Sequence, residues 1–450
     1  MQPALDFLDR INGVVWGPLT LWLIGLTGLY LMVGLRFMPL RRLGFGLREA
    51  IGSIRSSKGE GDVTAFESLS TALAATIGTG NVAGVASAIA VGGPGAVFWM
   101  WLIAFVGLAT KYAESLLAVH YREVDALGEH VGGPMYFIRN GLGPRWAWMG
   151  TLFAIFGTLA GFGIGNGVQA NQLALALRTS LGVPELATGL VMGAIAFAVL
   201  IGGIERIGKV SEVVVPVMAA IYVGGALIIL AIHLPEIPAA FGVIFSDAFT
   251  GQAAAGGVLG VVIRQGIARG VFSNESGLGT APIAQAAARP GDPVLQGSVA
   301  MIGTFIDTIV ICTMTALVIV LSGLYGSGAN GVDLTISAFN AELPGSGWLV
   351  TFATVAFTAT TILGWGYYSE RCLEFLAGTA AITPFRLLWV VVVVIGAVVS
   401  GGVIWTIADI LNGLMAIPNL IGLLLLSGTV FRLTRAYSFK AGEQSAGASR

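Results

Sequence analysis

The sequence predicts an all-α polytopic membrane protein. It has eleven transmembrane helices, a five-plus-five inverted repeat on spans 2–11, and one extra helix ahead of them. Three observations predict this. The 450 residues are 56% hydrophobic and only 10% charged, against roughly 45–50% and about 25% in soluble proteins. Eleven stretches approach or exceed the about 20 apolar residues that a crossing helix needs. Lysine and arginine collect in alternate loops, as the positive-inside rule requires of a correct span count.

In chain order, the first span is 14–36. Asp6 and Asp9 precede it instead of a basic region, and no small-residue cleavage site follows, so it reads as a retained helix. Residues 37–60 are basic, with Leu40, Leu43, Phe45, Leu47 and Ile51 interleaved. They read as an interfacial segment on an anionic leaflet. Spans 63–91 and 95–119 follow, joined by Gly92, Gly93, Pro94 and Gly95, which have tight-turn chemistry. The next spans are 146–177, 186–202, 210–233, 255–288 and 296–322. Segment 323–346 reads as a connector rather than a lid. Spans 347–370, 387–403 and 405–431 complete the set, and the polar tail from about 438 is expected to be disordered. The resulting division is 1–62, a first repeat 63–233, a second repeat 234–432, and a tail 433–450.

Nineteen of the 23 basic residues fall in one alternating set of loops and the tail, and only Arg10 and Arg178 fall in the opposite loops. Arg264 and Arg269 lie inside a span. One missed helix would swap every later loop, so the asymmetry predicts an outside N-terminus and a cytoplasmic C-terminus. Trp99 and Trp101 read as packing or interface anchors.

Several function classes are excluded. A net charge of −1 gives no basic face for nucleic acid. The 65 glycines carry no collagen period. Cys312 and Cys372 read as small buried hydrophobes without metal spacing. His120, His130 and His233 form no zinc-protease motif, and no nucleophile motif appears, so no enzyme is expected.

Two spans cannot be plain helices. Span 63–91 contains Ala-Ala-Thr-Ile-Gly-Thr-Gly-Asn at 74–81, and span 255–288 contains Gly-Val-Phe-Ser-Asn-Glu-Ser-Gly at 270–277. Both are over-long, with glycines and small polar residues near the middle. A mid-membrane break is tolerated only where it lines a protein cavity. It frees carbonyls, which attract cations, and N–H groups, which attract anions. For Gly80 and Gly84 alone, close helix packing is the competing reading. The two spans lie five helices apart, however, and paired broken helices in an inverted repeat point to a transporter site. Span 255–288 also carries charges. Arg269 is expected near the carbonyl end of its first half. Glu275 is expected in the first turn of its second half, after Ser273 or Asn274 as N-cap. For both, capping or pairing competes with a ligand role. Asp307 lies mid-span, and its readings are a pair with Arg264 or Arg269, or a proton or cation relay.

TGNVAGVASAI at 79–89, GGPGAVFWMWLIAFVG at 92–107 and FSNESGLGTAPIAQAAA at 272–288 resemble the signatures of the alanine/glycine:cation symporters. The resemblance covers nearly the whole chain. It implies a leucine-transporter-like fold and import of alanine and glycine with sodium as the coupling ion. Carried over residue by residue, it implies sodium ligands at the carbonyls of Ala74, Ile77 and Phe357 and the hydroxyls of Thr360 and Thr361. Threonines in membrane helices also bond their own preceding turn, the competing reading.

The substrate is expected at Ile77, Gly78, Thr79, Gly80 and Asn81, with its carboxylate against the N–H groups around Thr79, Gly80 and Asn81. Gln169 is expected to meet the amine, assisted by carbonyls of the 270–274 break, which places Phe272, Ser273 and Asn274 at the substrate; Gln169 as helix–helix glue is the alternative. Phe272 and Trp365 are expected to restrict the space to the smallest side chains. The expected partners are thus a small amino acid and the lipid bilayer. The rival reading is a proton-coupled permease that titrates Glu275 or Asp307.

Overall fold

The computed structural model describes residues 2–55, 59–250, 258–399 and 402–439. Among the described residues, eight helical runs are long and apolar enough to cross a membrane, and a ninth qualifies if a pair bent by 53° is one span. The pair is Ala65–Thr76 with Gly80–Gly92. The chain is therefore an all-α polytopic membrane protein. Of the two other expected spans, 186–202 corresponds to the shorter helix Glu185–Leu200. Span 255–288 begins outside the described residues and is interrupted after Asn274. The expected disordered tail lies outside them from residue 440, as do residues 400–401 of span 387–403.

Local chemistry explains most boundaries. The first helical run breaks at Trp16–Gly17, and Pro18 starts its longer part, Pro18–Gly34. The basic segment forms Met38–Arg41 and Leu43–Gly52, which bury Phe45 and expose Leu47 and Ile51. That one-sided pattern suits a helix lying on a membrane. Gly93 takes a φ of +81° in the turn between the second and third spans. The backbone N–H of Gly95 there donates to Asp247 Oδ2 at 2.7 Å.

Segment 323–346 is not a bare connector. It folds into the helix Gly331–Glu342, with Asn330 as N-cap. Thr335 Oγ1 donates to the Val82 carbonyl at 3.1 Å, which docks the helix on the broken span. Polar residues at helical spacing hide this amphipathic element from a hydropathy reading. Among the described residues, the π-helical stretches Gly80–Gly84, Gly161–Gly167 and Phe305–Cys312 also escape such a reading, because widening a helix leaves its composition unchanged.

The two interrupted helices run in opposite senses. Val63 pairs with Ala288 and Thr64 with Arg289, which joins the start of the first to the end of the second. Thr64 also closes a capping box with Glu67. At the other end, a Cβ on Gly92 would stand 3.1 Å from Gln265 Cβ and 3.5 Å from Val262 Cα. At the middle, a Cβ on Gly80 would stand 3.0 Å from Ser273 Cα. Glycine at position 80 is what lets the two breaks approach so closely.

Candidate functional site

Each break is made by an asparagine that diverts a backbone N–H. In the first, the last helical bond runs from Ile77 N–H to the Leu73 carbonyl. The Gly78 N–H donates to Asn81 Oδ1 at 2.9 Å. The Ala74 carbonyl thereby loses the donor that a continuing helix would supply. In the second, the last helical bond is Glu275 N–H to the Val271 carbonyl. Ser276 N–H then donates to Asn274 Oδ1 at 2.9 Å, and Gly277 N–H to Glu114 Oε1 at 3.0 Å. The carbonyls of Phe272 and Ser273 are released in the same way. The second helix resumes only at Ala281–Ala286.

The freed carbonyls of the first break face the helix Gly347–Ala377. Thr361 Oγ1 lies 3.2 Å from the Ala74 carbonyl, 3.3 Å from that of Ile77 and 2.8 Å from that of Phe357. Thr360 Oγ1 lies 3.0 Å from the same Phe357 carbonyl. All five residues expected to hold the ion therefore converge. The hydroxyls also bond their own preceding turn, so both readings of the threonines describe one arrangement. The donor set is oxygen only, without a carboxylate, and suits a hard monovalent cation.

Beside these oxygens is a narrow cavity of about 10 Å³. Gly78, Thr79, Gly80, Gln169, Phe272, Glu275, Thr361 and Trp365 line it, with Ala75, Thr76 and Ile164. It has room for about one water and is far below the about 300–1,000 Å³ of typical ligand pockets. Gln169 Nε2 donates to Thr79 Oγ1 at 3.3 Å and to the Ile164 carbonyl at 3.0 Å. Its buried Oε1 has no hydrogen-bond partner among the described residues. The amide group thus bridges helices on one side and presents a spare acceptor on the other. Trp365 Nε1 donates to Glu275 Oε1 at 2.8 Å.

A second cavity, of about 500 Å³, is lined by Asn12, Thr79, Arg269, Phe272, Asn330 and Asp409 among others. Thr79 and Phe272 belong to both spaces and stand between them.

The structure corrects three expectations. Glu275 is not in the first turn of a second half-helix; it sits in the break itself, with a φ of +56°. The break runs longer than expected because Asn274 turns the chain toward Ser276 and does not start a helix. Arg269 lies five residues before the end of Val258–Asn274 and faces the larger cavity, 3.9 Å from Asp409 Oδ2. Asp307 pairs with neither Arg264 nor Arg269. Its carboxylate accepts from Asn81 Nδ2 at 2.6 Å, Ser273 Oγ at 2.8 Å and Thr308 Oγ1 at 2.8 Å. Neutral donors on both breaks satisfy it, and the side chains of Asn81, Ser273 and Asn274 are turned into that network, away from the small cavity.

Sequence reasoning misses Lys111, Glu114 and Asn419. Lys111 falls among the loop cations by position, yet it is buried inside the helix Ala96–His120. Glu114 Oε1 accepts from Asn419 Nδ2 at 2.6 Å, and Asn419 Nδ2 also donates to the Gly277 carbonyl at 2.9 Å. These residues brace the second break. Charges inside an apolar run, as in Lys-Tyr-Ala-Glu at 111–114, are the available signal. Arg371, likewise a loop residue by position, is buried in Gly347–Ala377. It lies within 3.3 Å of carboxylate oxygens of Asp125, Glu129, Glu370 and Glu374.

A family model described as the sodium:alanine symporter family matches residues 1–448. The chain belongs to the sodium:alanine symporter family. It is a transporter and not an enzyme. The sodium/alanine symporter AgcS of Methanococcus maripaludis is 49% identical over 443 residues, covering 96% of this chain and 98% of that protein. A probable sodium/glutamine symporter of Bacillus subtilis, GlnT, is 37% identical over 448 residues, covering 97% and 92%. A putative sodium/proton-dependent alanine carrier of the same bacterium, YrbD, is 35% identical over 442 residues, covering 94% and 90%. Within this symporter family chain, the two breaks, the hydroxyl pair and the small cavity are contiguous. Among the described residues, no cluster of three or more His, Cys, Asp or Glu could hold a metal ion.

Proposed function

We propose that this protein imports a small neutral amino acid, alanine or glycine, together with sodium, by alternating access. The observation that carries this reading is the meeting of the Thr361 hydroxyl with the Ala74 and Ile77 carbonyls that the first break releases. Sodium is held there by the carbonyls of Ala74, Ile77 and Phe357 and the hydroxyls of Thr360 and Thr361. The substrate carboxylate lies against the break at 77–81, near the ion. Its ammonium meets Gln169 Oε1 and the carbonyls freed at 272–273. Phe272 and Trp365 line the space and limit the side chain, so discrimination is steric. One added methylene is worth only about 1–3 kcal/mol, so exclusion of larger substrates is graded.

The opposed senses of the broken helices support the inverted repeat, with halves 63–233 and 234–432 in a leucine-transporter-like arrangement of eleven spans. The alternation of basic loops supports a cell-membrane protein with an outside N-terminus and a cytoplasmic C-terminus. The larger cavity is then the outer vestibule, and Thr79 and Phe272 form the partition that substrate passes. One helix bundle rocks against the rest to open the site inward. The drive is sufficient. One charge moving through 100 mV yields about 2.3 kcal/mol, and a tenfold sodium gradient adds about 1.4 kcal/mol.

A proton-coupled reading has one observation in its favour: the Glu275 carboxylate lines the small cavity. Asp307 does not line it. Labelled alanine uptake into liposomes under a sodium gradient alone, or a proton gradient alone, separates the two. Uptake driven by sodium and not by protons is expected. Uptake driven by protons alone would replace the sodium reading with one based on Glu275.

A further inference from the structure

One carboxylate reaches the residues that make both breaks. Asp307 is fully buried in the π-helical stretch Phe305–Cys312. Its Oδ1 accepts from Asn81 Nδ2 at 2.6 Å, and its Oδ2 accepts from the hydroxyls of Ser273 and Thr308, both at 2.8 Å. Asn81 is the residue whose Oδ1 takes the Gly78 N–H in the first break. Thr308 Oγ1 in turn accepts from Asn274 Nδ2 at 3.1 Å. Asn274 is the residue whose Oδ1 takes the Ser276 N–H in the second break.

Donor and acceptor roles fix the direction of this relay. A carboxylate accepts and cannot donate. Asn81 must therefore turn its amide nitrogen toward Asp307, which leaves its oxygen for Gly78. The Asp307 backbone carbonyl, 3.3 Å from the same Nδ2, demands the same orientation. The Thr308 hydroxyl donates its single proton to Asp307, so toward Asn274 it can only accept. That turns the Asn274 nitrogen to Thr308 and its oxygen to Ser276. Reversing either amide would set its nitrogen against a backbone N–H and leave buried donors unpaired.

We propose that Asp307 is a positioning residue for symport: it sets the amide of Asn81 directly and that of Asn274 through Thr308, and so holds both breaks open at once. One group then releases the Ala74 carbonyl on the ion's side and the Phe272 and Ser273 carbonyls on the ammonium's side. Asp307 acts through the two asparagines, since it does not line the small cavity. The inference rests on the sodium-symport reading of those carbonyls.

The test exchanges the two groups of the Asn81–Asp307 bond. Asp307→Asn puts an amide nitrogen where a carboxylate oxygen served, so it faces either the nitrogen of Asn81 or the two hydroxyls. Asn81→Asp sets two carboxylates against each other. In the double variant, the carboxylate at position 81 accepts from the Gly78 N–H and from the amide at position 307. The oxygen of that amide accepts from Ser273 and Thr308. Each of these bonds is kept, one of them reversed. Labelled alanine uptake is measured in liposomes holding the full chain, with sodium and alanine below half-saturation. Each single variant is expected to lose at least about tenfold, and the double to regain at least about threefold over the better single one. A double variant no better than the better single one would overturn the proposal, as would an Asp307→Asn variant as active as the original.

Thr308→Val separates positioning from general damage, because it releases Asn274 alone. Half-saturating alanine at saturating sodium should rise about fivefold or more, while half-saturating sodium at saturating alanine stays within about twofold. Equal rises in both would overturn the relay through Thr308. Thermal unfolding of the purified proteins repeats the exchange without transport. Both single variants should unfold at lower temperature and the double should recover; where a single variant fails to accumulate, return of folded protein in the double is the same result. Absence of that recovery overturns the proposal whatever the uptake. Recovery without any sodium-driven uptake by the unaltered protein would instead remove the symport reading.

Discussion

Thr361→Val removes one oxygen and keeps the shape of the side chain. The lost Oγ1 is the atom that meets the carbonyls of Ala74, Ile77 and Phe357 at 2.8–3.3 Å. In the proposed ion site it is one of five oxygens, and nothing nearby can replace it. Thr360 Oγ1 is already directed at the carbonyls of Ala356 and Phe357. A hydrogen-bonding group facing a charge is worth about 1.5–3 kcal/mol. At about 1.4 kcal/mol per decade, that predicts a roughly 10- to 150-fold rise in half-saturating sodium. The assay is labelled alanine uptake into liposomes at saturating alanine, with external sodium titrated against an inert cation at constant ionic strength. Maximal uptake at high sodium should fall much less than affinity. A half-saturating sodium concentration within about threefold of the original would refute the assignment of Thr361.

Gln169→Leu should raise half-saturating alanine by roughly tenfold or more while leaving sodium affinity nearly unchanged, because it removes the spare acceptor; alanine titration at saturating sodium checks this. Arg371→Ala should destabilise the protein by about 3–5 kcal/mol, since it takes their partner from the carboxylates of Asp125, Glu129 and Glu374 while Arg386 still holds Glu370; thermal unfolding of the purified protein reads it, and Arg371→Lys should fall between. Glu49 lies on the interfacial helix, and burial pushes its carboxyl above the ordinary range, only partly offset by Arg48. A raised folded-state value means that stability is lost as pH rises from the ordinary carboxyl range through that raised value. Glu49→Gln should therefore unfold at a higher temperature than the original at pH 7.5, and the difference should vanish as pH drops below the ordinary carboxyl range.

The breaks are legible because glycine and small polar residues in a long apolar run have few other uses. Thr-Gly-Asn at 79–81 and Ser-Asn-Glu-Ser at 273–276 supply the asparagines that divert backbone N–H groups. The threonine pair is legible only through the family resemblance, since membrane threonines at helical spacing are common. Glu275 is misplaced by sequence reasoning because the length of an irregular break depends on what braces it. The braces, Glu114 and Asn419, come from helices far away in sequence. Lys111 and Arg371 read as loop cations because charge near a span end resembles a boundary. Their burial depends on partners that hydropathy does not reveal. The helix Gly331–Glu342 escapes for a related reason: it is too polar to stand out, and its place follows from one hydroxyl docking on Val82.

On the proposed mechanism, ion and substrate share a site built by the two breaks, and each must then strengthen the binding of the other. Equilibrium binding of labelled alanine to the purified protein, with sodium and with an inert cation, should show tighter alanine binding in sodium. The converse titration should show sodium binding strengthened by alanine by the same factor, as linkage demands. Thr361→Val should reduce that factor toward one. An alanine affinity that is identical with and without sodium would contradict a shared site.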